Sequence, residues 1–309
     1  MTLFDRVNPW VAQAKKLVGN RWVRISIQIL ILALCAIYLV NNLQSIKSAN
    51  VQIKVNVYLI IASLAMTIAV VFLGALGYFL TLRSFTIPIA WSQAFNIHLQ
   101  SNLAKYIPGY AWQLVGKAYL TGDAGYSIGL VGMAMATELF LLVMTGMLAL
   151  IVCLPADFLS RFRIEINPNG LIPDLRLLAI LLLIIISLGG YWLLKRSQKL
   201  VHSKEVKPLR LLAASASMLA GWILFGFSFW LLGKALFTVS IQELYLYVFT
   251  LSASILIGLA VVIVPGSIGI RESIMVWMLG PSIGAPQAVI VAALARVIVT
   301  LEGAGWPLR

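Results

Sequence analysis

The chain has 309 residues, 61% of them hydrophobic and 11% charged, far from the roughly 45–50% apolar and about 25% charged usage of soluble domains. This composition excludes a soluble globular protein and places the chain in a membrane. The 23 Lys and Arg against 10 Asp and Glu, a net charge of +13, stand mostly in short segments beside apolar runs, where they act as a topology signal rather than a nucleic-acid surface.

A bilayer core about 30 Å thick takes about 20 helical residues, so apolar runs of that length are read as spans. Residues 1–24 form a basic amino-terminal segment, with Arg6, Lys15, Lys16, Arg21 and Arg24 against Asp5, expected on the cytoplasmic side. Residues 25–309 are expected to form one transmembrane domain. Its first run is 25–43; Leu34 before Cys35 is too bulky for a lipoprotein cleavage site, so the run is read as an uncleaved span. The second run is 57–80. An irregular stretch follows at 87–120, broken by Pro, Gly and charges, and then a span at 126–154 interrupted only by Glu138. A near-neutral segment with an Asn167-Pro168-Asn169-Gly170 turn leads to the span at 177–194. The loop 195–210 is strongly basic and is expected to be cytoplasmic. Spans at 211–233 and 244–264 precede a second irregular stretch, 265–301. With the amino terminus inside, these assignments agree only if residues 81–125 cross the membrane an even number of times. The expected fold is therefore all-α, a polytopic bundle of about seven to eight spans with two re-entrant or broken-helix elements.

The two irregular stretches resemble each other, which predicts an internal repeat with halves at about 87–154 and 244–301. The first reads Tyr106-Ile107-Pro108-Gly109, then Lys117, then Gly125-Tyr126-Ser127-Ile128-Gly129, then a helix holding Glu138. The second reads Ile263-Val264-Pro265-Gly266, then Gly269, Arg271 and Glu272, then Gly280-Pro281-Ser282-Ile283-Gly284, then a helix holding Arg296. Pro108 stands 30 positions before Glu138 and Pro265 stands 31 before Arg296. Counted from the closing glycines Gly129 and Gly284 the distances are nine and twelve, a difference of about one helical turn. Such motifs also punctuate ordinary helix ends, so chance similarity is the competing reading. Duplicated interrupted helices are the sequence pointer to a transporter's substrate site, with Pro108, Gly109, Pro265, Gly266 and Gly269 as the breaks.

An unpaired charge at a membrane helix centre costs about 2.5–3.5 kcal/mol. Glu138 and Arg296 are accordingly expected to approach each other across the repeat interface or to line one polar cavity, serving either substrate or helix register. Lys105, Lys117, Arg271 and Glu272 flank the Pro-Gly breaks, where helix amino termini offer N–H donors to an anion such as phosphate. Lys117 is expected to snorkel to the interface, and Arg271 and Glu272 to contact substrate. Small residues from Ala213 to Gly221, with Ser252, Ala253, Ser254 and Gly258, suit close helix packing.

Catalytic and metal signatures are not expected. Cys35 and Cys153 are far apart, as are His98 and His202, and no HExxH or Walker A pattern occurs. Ser127 and Ser282 match GxSxG formally, but a nucleophile elbow needs a preceding strand and a nearby His.

The segments Asn102-Leu103-Ala104-Lys105-Tyr106-Ile107-Pro108-Gly109, with Trp112 and Gln113, and Pro265-Gly266-Ser267-Ile268-Gly269-Ile270-Arg271-Glu272, with Ala295-Arg296, resemble the flippase-like membrane region of lysylphosphatidylglycerol synthases, the multiple peptide resistance factors, and its free-standing bacterial relatives. The resemblance covers the chain from about residue 20 onward. It implies an integral bacterial inner-membrane module associated with moving a modified phospholipid between leaflets. The synthase domain that attaches lysine from lysyl-tRNA in those enzymes is not in this sequence, so aminoacyl transfer and a tRNA partner are not carried over. Relatives are expected to continue past Arg309 with another apolar segment.

The expected function is a non-enzymatic, lipid flippase-like protein, with Glu138, Arg271, Glu272, Arg296, Lys105 and Lys117 as candidate headgroup contacts. No cofactor or metal is expected. The expected partners are a membrane phospholipid or glycolipid, a separately encoded transferase and a second copy of the chain in a homodimer, but no nucleic acid. Two rivals are a non-transporting scaffold for such a transferase and a secondary transporter of a soluble solute.

Overall fold

The computed structural model describes residues 53–102, 111–123, 125–155, 158, 171–201, 206–261, 267 and 269–304, with Ser26, Ala33, Ile37 and Val40 of the first apolar run, which are helical and exposed. The segment 1–24, most of the 25–43 run, and Lys105, Pro108, Gly109, Pro265 and Gly266 lie outside the described residues.

The described residues form helices and no strand. In order these are α1 (Val57–Ser84), α2 (Trp91–Asn102), α3 (Ala111–Asp123), α4 (Ile128–Val152), α5 (Leu171–Val201), α6 (Pro208–Leu236), α7 (Leu244–Ala260), α8 (Ile270–Ile283) and α9 (Ala285–Ala304), with a short 3-10 turn at Ile241–Glu243. Helix starts follow local chemistry. The Asn56 side chain accepts from the N–H groups of Tyr58 and Leu59, Pro208 occupies the first turn of α6 where its missing N–H costs nothing, and Ser240 caps the 3-10 turn in a capping box with Glu243.

α1, α4, α5, α6 and α7 are long and apolar enough to cross a membrane. Seven or eight spans were expected; among the described residues five reach that length, and α9 adds a shorter apolar stretch, Ala285–Thr300. The core of the bundle is the antiparallel pair α1 and α6. At one end Lys54 and Asn56 donate backbone N–H groups to Leu236 and Ala235. Midway Ser63 Oγ donates to the Ser228 carbonyl at 2.9 Å and Ser217 Oγ to the Leu73 carbonyl at 2.9 Å. At the other end Lys207 N–H reaches Ser84 and Arg210 reaches the Arg83 carbonyl at 2.6 Å. Every membrane-buried polar group needs an internal partner, and these contacts fix the register of the pair.

α2 and α3 span about 18 and 20 Å at 1.5 Å per residue, too short for a 30 Å core. They form a hairpin. Gln113 donates to Asn102 at its tip, and at its base the Tyr126 hydroxyl reaches the Pro88 carbonyl. Chain entering at Pro88 and leaving at Tyr126 is thus brought together at one end of the hairpin. A second hairpin is made by α7 and α8: Ser267 Oγ donates to the Gly258 carbonyl at 2.6 Å near its tip, and Ser282 at the end of α8 donates to Glu243 at the start of α7. In each case a glycine with positive φ, Gly125 or Gly284, both at +92°, turns the chain into the following long helix, α4 or α9, a conformation other residues adopt only under strain.

Candidate functional site

Beside the α1–α6 pair lies a cavity with about 230 Å³ open to the centres of water-sized spheres, room for many waters at the roughly 10–15 Å³ that one needs. Its walls divide by chemistry. α1 and α6 contribute Ser63, Thr67 and Ser228, while α8 and α9 contribute Arg271, Glu272 and Arg296. The hydroxyl side is internally connected, with Thr67 Oγ1 2.8 Å and Ser63 Oγ 3.0 Å from Ser228 Oγ.

The ionic side is built by the start of α8. Gly269 has φ +83° and caps the helix; its N–H donates to Glu272 Oε2 at 2.8 Å, so the third helical residue closes back on the cap. This holds Glu272 against the helix axis and points Oε1 at Arg296 Nε, 3.6 Å away. Both partners are buried, with side chains 8% and 7% exposed. Arg271 also lines the cavity. Two guanidinium groups at its wall, with the positive end of the α8 dipole, are an arrangement suited to an anion. Gly258 on α7 leaves the space the cluster needs: a Cβ there would stand 2.9 Å from Arg271 Nε and 2.9 Å from Ser267 Oγ.

Arg271, Glu272 and Arg296, singled out from the sequence, thus come together. Glu138 and Lys117 are elsewhere. The expected approach of Glu138 to Arg296 is corrected: Glu138 on α4 accepts from Lys117 on α3, and Arg296 on α9 faces Glu272 on α8, so each charge is met from the helix that precedes its own. The expectation that Lys117 snorkels is also corrected, because its side chain is 4% exposed and its ammonium lies 4.7 Å from the centroid of the Tyr78 ring. α3 is packed between α2 and α4, which keeps the Lys117 ammonium inside the helices, and the buried carboxylate supplies the compensation that position needs.

The sequence reading missed the hydroxyl wall. Its signal was present: Ser63 and Thr67 stand four apart on one face of an otherwise apolar helix. Ser282 of the formal GxSxG match bonds Glu243, Ser127 precedes α4 and is exposed, and no strand precedes either among the described residues. Among those residues no three His, Cys, Asp or Glu side chains gather where a metal ion would fit.

No protein-family model matches the chain and no curated protein matches it significantly.

Proposed function

We propose that the chain is a lipid flippase-like protein of a bacterial inner membrane, with its amino terminus cytoplasmic, which shelters an anionic or zwitterionic phospholipid-type headgroup in the cavity beside α8. The observation that carries this reading is the cluster of half-buried Arg271 with buried Arg296 and Glu272 at the amino terminus of a helix too short to cross the membrane. A phosphate entering there meets two guanidinium groups suited to bidentate contact. Glu272 supplies the countercharge while the site is empty and a partner for a headgroup amine when it is filled. The Ser63, Thr67 and Ser228 hydroxyls face glycerol or sugar oxygens. Acyl tails stay in lipid, so the protein supplies only the polar passage.

The repeat belongs to this reading. Two hairpins, each followed by a glycine turn and a further helix to which a buried ion pair ties the second hairpin helix, support a duplicated architecture of the kind that brackets transporter sites. The resemblance of the two Pro-Gly segments to the lysylphosphatidylglycerol synthase membrane region supports the same substrate class.

The test is movement of headgroup-labelled phospholipid in vesicles carrying the purified chain. Arg271→Ala is expected to slow transfer about tenfold or more, the loss of one charge-assisted contact, while leaving the thermal unfolding midpoint near that of the parent. Unchanged transfer rates in that variant overturn the site.

A further inference from the structure

We propose that Glu138 is a proton-binding site, its carboxylate held alternately by Lys117 and by a proton. The first observation is a difference between two buried carboxylates. Glu272 has both oxygens occupied, Oε1 facing Arg296 and Oε2 accepting the Gly269 N–H. Glu138 is 6% exposed; its Oε1 accepts from the Lys117 ammonium, while Oε2 is buried with no hydrogen-bond partner. An ionised oxygen sealed among apolar helices without a donor is costly, and a proton placed on it removes the charge responsible.

The second observation is that Lys117, while it bonds Glu138, already has a second partner. Its Nζ lies 4.7 Å from the Tyr78 ring centroid, and the Tyr78 hydroxyl is held 2.6 Å from Thr121 Oγ1, whose own proton goes to the Lys117 carbonyl. The aromatic face is fixed, so the ammonium keeps a partner when the carboxylate is neutral. In the step, one proton from water bonds to Oε2, the carboxylate becomes a carboxylic acid, and Lys117 keeps its three protons. The charge of the pair goes from zero to plus one, release reverses it, and no electrons move.

The groups facing Glu138 are few. Lys117 comes from α3 and Tyr78 from α1, with the His98 ring of α2 6.1 Å from that of Tyr78. α5, α6 and α7 also pack on α4. α5 carries Asp174, Arg176, Tyr191, Lys195, Arg196 and Lys199, α6 carries Arg210 and Lys234, and α7 carries Tyr245 and Tyr247; α1 adds Tyr58 and Arg83, α3 adds Tyr119 and Asp123, Lys207 precedes α6 and Glu243 precedes α7. Ionisable residues inside membrane helices serve as proton relays in pumps and transporters. With no Walker A motif in the sequence, a proton is a coupling ion that this chain's own side chains can hold.

The test uses the purified full chain in nanodiscs, acidified from about pH 9 to about pH 5 and followed by infrared difference spectroscopy of the protonated carboxyl stretch. The expected result is a component that grows on acidification, is lost in Glu138→Gln and in the Lys117→Met/Glu138→Gln double variant, and persists in Glu272→Gln. The double variant removes both charges of the pair, so the assignment of the component to Glu138 does not depend on the folding of the single variant. A wild-type protein without that component, or a double variant that retains it, overturns the proposal. The readout needs no lipid transfer, so it fails or succeeds separately from the headgroup reading.

Discussion

At the scale of single residues, the two ion pairs are where side-chain chemistry is most exposed to test. A buried pair broken on one side leaves an uncompensated charge, at about 3–5 kcal/mol. Lys117→Met is therefore expected to destabilise the protein by about 3 kcal/mol, whereas Lys117→Met with Glu138→Met recovers most of that loss. Thermal unfolding in detergent measures both, and equal or additive losses would contradict the pairing. Gly258 makes a different prediction. A methyl group there collides with Arg271 and Ser267, so Gly258→Ala is expected to lower headgroup transfer severalfold at little cost in helix content. These residues were legible in the sequence to unequal degrees. Arg296 was found because a charge inside an apolar run asks for a partner, and Arg271 and Glu272 because they follow a Pro-Gly break where a helix begins. The identity of each partner was not, since Glu138 and Arg296 correspond in the linear pattern while their contacts are decided by which short helix packs beside them.

At the scale of elements, length and apolarity carried most of the reading. The runs at 57–80, 211–233 and 244–264 became α1, α6 and α7 because a bilayer leaves a hydrophobic stretch of that length few other solutions. The broken stretches were legible as re-entrant or broken-helix elements, but not the contacts of the first, Asn102 with Gln113 and Pro88 with Tyr126. Close packing of α6 on α7 depends on Gly226, where a Cβ would stand 2.6 Å from the Val248 Cα. That atom belongs to the backbone and cannot turn aside. Gly226→Ala is expected to cost about 1–3 kcal/mol by forcing the helices apart, while Gly132→Ala, where nothing lies within 4 Å, is neutral or slightly stabilising through helix propensity. Unfolding midpoints of the two variants decide the point.

At the scale of the whole molecule, the α1–α6 register sets which ends share a side. Lys207 and Arg210 meet Ser84 and Arg83, and Lys54 and Asn56 meet Leu236 and Ala235. In a cysteine-less background, single cysteines at Thr86 and at Lys207 are expected to react with an impermeant reagent from one face of the membrane, and those at Lys54 and Ser240 from the other. Labelling of Thr86 and Lys207 from opposite faces would contradict the arrangement. α5 stands apart: none of its apolar window is buried, consistent with a helix that meets lipid around most of its circumference.

The closure of each ion pair inside one set of helices has a mechanical consequence. Rocking the α2–α4 group against the α7–α9 group pulls neither Lys117 from Glu138 nor Glu272 from Arg296. Such a motion would slide hydrocarbon over hydrocarbon, and the resistance it meets from these four charges would be small.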